Sequence, residues 1–160
     1  MTTAEQRLGT DLALTRLFVA DEWGAHDLTA EPSRRGRRVV AATVPSTSDA
    51  TDLATLTGRQ NLAQALILRL LTPLGALADL GHPAYGSRLG ELVGRANDPT
   101  ARFLARRYVL EAVAQEARAE VVDLVFDDPA GERPDTVGFT LVVRPVTGGD
   151  PIGLSVGVEL

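Results

Sequence analysis

Glu111, Glu116 and Asp123 are the carboxylates a two-acid hydrolytic site would draw on. Glycoside hydrolysis needs two such groups roughly 5 to 9.5 Å apart across a cleft, one of them with a raised pKa. Glu111 and Glu116 are five residues apart in a helical stretch, which turns them to different faces, and Asp123 falls on the strand that follows. No pair is forced, and a single Trp offers no aromatic sugar platform. His26 and His82 are the only histidines, far apart and outside any HExxH arrangement, and cysteine is absent. Disulfides, thiolate chemistry and the commonest zinc sites are thereby removed, and no metal or cofactor is expected.

Two groupings of charge remain. Glu116 and Arg118 flank one residue where a helix gives way to a strand, and there they can form charge-assisted bonds to a partner or a solvated ion pair with each other. Arg34, Arg35, Arg37 and Arg38 cluster in "SRRGRRVV". Phosphate binding would suit them. No aromatic residues interleave as stacking platforms, so a solvated loop or one side of a protein contact is the better reading. The net charge of −5 also argues against nucleic acid, and all 16 basic residues are Arg.

The elements that position these groups are legible from periodicity and punctuation. Leu62, Leu66 and Leu70 recur at i, i+4 and i+8, predicting a helix from about Gly58 to Leu71. Thr72-Pro73 supplies a start signal for a short helix through Leu80, and Gly81-His82-Pro83 ends it in a tight turn. Ser87 to Ala96 is expected to form another helix, and Asp98-Pro99 to start a longer one reaching about Glu116. That helix carries two apolar stripes, Phe103/Leu110/Ala114 and Leu104/Tyr108/Ala112. The second is available to the other helices or to another chain.

Beyond Arg118 the period becomes two. Val122, Leu124 and Phe126 alternate, then Val137, Phe139, Leu141 and Val143, and last Ile152, Leu154, Val156, Val158 and Leu160. Helices followed by an antiparallel meander make an α+β fold, with helices packed on a small C-terminal sheet. Gly153 and Gly157 leave one face of the last strand open to close approach.

At 160 residues and 44% hydrophobic composition the chain is the size of one ordinary domain. Residues 1–50 read as an irregular N-terminal extension with short strands, among them a strand at Arg38 to Thr43, closed by the Ser/Thr/Asp-rich connector "VPSTSDATD". Residues 51–160 read as the core domain. No apolar run approaches the roughly 18 residues of a membrane span, and no secretion signal is visible, so a cytoplasmic location is expected.

The series "GTDL" at 9–12, "GRQNLAQALILRLLTPLGAL" at 58–77, "GHPAYGSRL" at 81–89 and "YVLEAVAQEAR" at 108–118, followed by strands, resembles the baseplate-wedge or sheath-initiator family of contractile tails. That group includes phage baseplate assembly protein W and its relatives in type VI secretion and extracellular injection systems. The resemblance implies a structural protein bound around the end of the tail tube beneath the first sheath ring. Several copies would stand in a ring, and the partners would be sheath protein, the tube end and other wedge proteins. It implies no cofactor and no enzymatic activity. The family's old label of tail lysozyme makes a peptidoglycan-cleaving enzyme the alternative.

The family carries a Glu-Pro-Arg motif that anchors the subunit to the core bundle of neighbouring wedge proteins. Its charges match Glu116 and Arg118, with Ala117 in place of the proline. Both are therefore expected to serve assembly more than folding. Tyr85 and Arg88 are expected on a fixed surface made by the punctuated turns. The final strand, through Gly153, Leu154, Val156, Gly157 and Val158, is expected at a sheet edge open to a strand of the sheath, or else as a central strand paired on both sides.

Overall fold

The computed structural model describes residues 3–14, 30–32, 51–128 and 135–160. The arginine cluster at 34–38, the expected strand at 38–43 and His26 lie outside the described residues. A single turn of helix α1 (Thr3–Gln6) leads to strand β1 (Thr10–Leu12), and short strands β2 (Ala30–Pro32), β3 (Thr51–Leu53) and β4 (Thr55–Thr57) precede helix α2 (Gly58–Leu71). Helix α3 (Pro99–Val113) is followed by strands β5 (Ala119–Phe126), β6 (Thr136–Pro145) and β7 (Ile152–Glu159). The architecture is α+β: β1 pairs with β4, β2 with β3, and β5-β6-β7 form an antiparallel sheet in that order.

Helix α2 forms over the span its leucine spacing predicts, with Leu62, Leu66 and Leu70 buried. It stops at Thr72, whose extended backbone precedes Pro73. Asp98 caps α3 by accepting the Ala101 amide at 2.7 Å, with Pro99 in the first turn. The two helices lay Leu66, Val109 and Val113 on the sheet's inner row of Val137, Phe139, Leu141 and Val143, all essentially without exposure. Leu154 and Val156 extend that row on β7, while Gly153, Ser155, Gly157 and Glu159 face away, as alternation requires.

Four expected elements are corrected. The segment after Thr72-Pro73 is a series of turns with one 3₁₀ turn (Ala78–Leu80), because Gly75 at φ +81° reverses the chain before a helix can start. Residues 87–96 hold only a 3₁₀ turn (Leu89–Leu92), closed off by Gly94 at φ +86°. Helix α3 ends at Val113 rather than near Glu116. Of its two stripes, Leu104/Tyr108/Ala112 packs into the apolar cluster, whereas Phe103 and Leu110 of the other stay exposed. On β5 a bulge between Val121 and Asp123 displaces Val122 from the expected inward alternation and leaves it exposed.

The described N-terminal segment at 8–14 packs against α2. Leu8 is 1% exposed within the main apolar cluster. Two buried polar side chains of α2 hold this segment: Asn61 donates to the Leu8 carbonyl at 2.9 Å, and Gln64 donates to the Leu12 carbonyl and accepts the Leu14 amide. Gln64 thus acts as a strand partner supplied by a helix.

Candidate functional site

The junction between α3 and β5 gathers the charges that periodicity alone left unpaired. After Val113 the chain tightens into turns, with the Glu116 amide bonded to the Val113 carbonyl and the Ala119 amide to that of Glu116. Backbone bonds hold this turn, with Ala117 between the two charged residues. The turn carries Glu116 inward to 8% exposure. Arg118 then folds back on it as a fork, Nε to Oε1 at 2.7 Å and Nη2 to Oε2 at 3.0 Å, while Nη1 donates to the Leu8 carbonyl at 2.9 Å. One carbonyl thus accepts from both Asn61 and Arg118, tying the junction to the N-terminal segment.

The fork governs the electrostatics. The hydrogen bonds from Arg118 hold the Glu116 carboxyl below the ordinary carboxylate range despite its burial, and the reciprocal bond raises the Arg118 guanidinium. A buried, bidentate pair is part of the fold, and a lone carboxylate there would be destabilising.

Beside this pair, on the last turn of α2, Arg69 lies with its Nη2 3.8 Å from Glu116 Oε2 and its guanidinium 4.5 Å over the Tyr85 ring. The sequence marks Tyr85 but not Arg69, because the two meet only through the close return of the segment after Pro73. That return depends on Gly86. Pro73 and Ser87 form a parallel bridge, Ser87 donates to the Leu70 carbonyl at 2.6 Å, and a Cβ on Gly86 would sit 2.6 Å from the carbonyl oxygens of Thr72 and Pro73. Burial pushes the Tyr85 phenol up, against the pull of Arg69. Arg88 stands apart, 4.6 Å over the Tyr108 ring and paired with Glu91 at 2.8 Å on the exposed surface. The structure therefore brings Glu116, Arg118 and Tyr85 together with Arg69, and leaves Arg88 on a neighbouring face.

The remaining predicted site residues lie on β7. Among the described residues that strand is an edge of the sheet, paired with β6 alone. Leu154 and Val156 are buried beneath it, so only their backbone groups face outward along the edge. Gly153 has open space where a Cβ would be, and Gly157 has only the Thr136 methyl at 3.8 Å.

As for hydrolytic chemistry, Glu111 is tied to Arg107 at 2.7 Å on the surface, and Glu116 is held low rather than raised. A small cleft of about 30 Å³ lies between the Leu74–Arg88 segment and α3, lined by Tyr108 and Glu111 among others. Among the described residues no three His, Asp or Glu side chains converge as metal ligands, and no helix is long and apolar enough to cross a membrane.

No family model matches the chain, and no curated protein matches it at a significant level. Among solved structures, a candidate tail lysozyme from Geobacter sulfurreducens is similar in fold, with a TM-score of 0.52 and 19% identity over 74% of this chain and 96% of that one. At that identity the likeness concerns the fold.

Proposed function

We propose that the chain is a structural, non-enzymatic baseplate component of a contractile injection system or phage-like tail, assembled in the cytoplasm. In this reading it anchors to neighbouring wedge proteins and the tube end, and it templates the first sheath ring by accepting a sheath strand along β7. The fold likeness to a protein described as a tail lysozyme supports a tail-related role. The observation that carries the proposal is the edge of β7, open among the described residues. An edge strand is usually blunted by Lys, Pro or a bulge, and Ile152–Glu159 has none of these after Pro151. An unprotected, regular edge suits addition of a partner strand through main-chain hydrogen bonds. The non-enzymatic part rests on Glu116, whose ion pair stabilises the charged form that a general acid must avoid.

Gly153→Lys with Gly157→Lys tests the reading, because both positions have room for a side chain and the protein should stay folded. Particles carrying the double variant should show baseplates on tubes without extended sheath. Sheath of normal length on those baseplates would contradict strand templating.

A further inference from the structure

We infer that Arg69 is a docking point for a carboxylate presented by a neighbouring protein chain. The source of that carboxylate rests on the proposed role as an assembled subunit; the site itself rests on the contacts Arg69 makes and lacks. Its side chain is only 12% exposed. A guanidinium carries five N–H donors. Here Nε is shut off from solvent with no acceptor, Nη2 stands 3.8 Å from Glu116, beyond hydrogen-bond reach, and Nη1 makes one long bond of 3.4 Å to Gln115 Oε1. Burial of a charged fork with one stretched neutral partner is unusual, since buried polar groups are ordinarily satisfied.

The neighbours explain why Glu116 does not fill the gap. Both its oxygens are taken by the Arg118 fork. The triad of Arg69, Arg118 and Glu116 therefore holds two cations against one anion. Asp11, whose field also reaches Arg118 and Tyr85, accepts the amide of Leu12 instead. The position of Arg69 is nonetheless fixed, by the Tyr85 ring beneath it and the short bridge that holds the Tyr85 segment against the end of α2. A rigid, under-satisfied guanidinium with excess positive charge is matched in shape and sign by a carboxylate, which Arg can bind through two parallel bonds.

The door is Gln115. Its side chain is exposed, and its amide oxygen holds the place beside Nη1 that an incoming carboxylate would take. The exposed Leu74 lines one cleft with Gln115, offering apolar contact beside the charged centre. The partner segment is thus an acidic side chain, Glu or Asp, flanked by apolar residues.

The test uses the isolated full chain, uniformly ¹⁵N-labelled, with the Arg69 Nε–H resonance assigned through bonds. It is titrated with N-acetyl-glutamate and, separately, with sodium chloride at matched ionic strength. The inference predicts a saturable shift of the Arg69 resonance with N-acetyl-glutamate alone, with little response from the exposed Arg107. Gln115→Ala, which removes the competing acceptor without touching the arginine, should tighten that response about two- to fivefold, the equivalent of one weak hydrogen bond. A response no larger than that to chloride, or one unaltered in Gln115→Ala, would overturn the inference. Because no particle is involved, this result stands apart from the outcome of the sheath experiment.

Discussion

Removing the guanidinium at 118 is the most informative perturbation of the junction. Arg118→Ala deletes two bonds to the Glu116 carboxylate and one to the Leu8 carbonyl, leaving a carboxylate of 8% exposure with Arg69 3.8 Å away as its remaining cation. Breaking a fully buried pair by truncating one partner costs about 3–5 kcal/mol. The Arg118 side chain is one-third exposed, at 33%, so water partly replaces it and the expected loss falls to about 2–3 kcal/mol. For a chain of this size that lowers Tm by about 5–10 °C. The pH dependence separates this mechanism from simple loss of packing. Glu116 is depressed in the folded protein, so its contribution is present above the ordinary carboxylate value, about 4.3, and is lost as pH falls through the folded value. In the variant the same carboxyl has burial without its partner, and protonation relieves rather than removes stability. Thermal melts of both proteins from pH 7 to pH 3 should therefore show a gap that is widest at neutral pH and narrows as acid is added. A variant melting within about 1 °C of the parent at pH 7, or a gap indifferent to pH, would refute the reasoning.

Two further outcomes follow from the turn that carries Tyr85. Gly86→Ala should destabilise by about 3 kcal/mol or prevent folding, because its φ of +111° is strained for any side chain and its Cβ would overlap two carbonyl oxygens, whereas Gly81→Ala, at φ +87° with open space, should cost about 1 kcal/mol; urea melts of the pair check the contrast. Tyr85→Ala with Arg88→Ala should leave a folded domain by circular dichroism, since Arg88 makes only surface contacts and Tyr85 is half-buried, while reducing recovery of the chain in particles.

The helices with long regular spacing and the alternating strands were legible because one burial pattern decided each: Leu62, Leu66 and Leu70 need a helix, and Ile152, Leu154 and Val156 need a strand. The segment between residues 72 and 98 was not, because its structure depends on where glycines reverse the chain. Gly75 and Gly94 adopt positive φ, and Gly86 permits a backbone approach between segments fourteen residues apart that no local propensity signals. The charged junction was half legible. Glu116 and Arg118 announced themselves by position at an element boundary, but their burial did not, since it arises from Leu8 and Asn61 closing over them from distant parts of the chain. Nothing in the sequence sets Arg69 apart from the other arginines. Only the fold shows that Tyr85 lies beneath it and that Glu116 is already occupied.

Strand addition along β7 is the central claim, and a cryo-electron microscopy map of the assembled, sheathed particle tests it most directly. The account predicts a strand from a sheath subunit running beside Ile152–Glu159 at the 4.7–4.9 Å spacing of paired strands, roughly that of any sheet. A map in which the chain is absent from the baseplate, or sits there with the β7 edge facing solvent beneath a complete sheath, would contradict it.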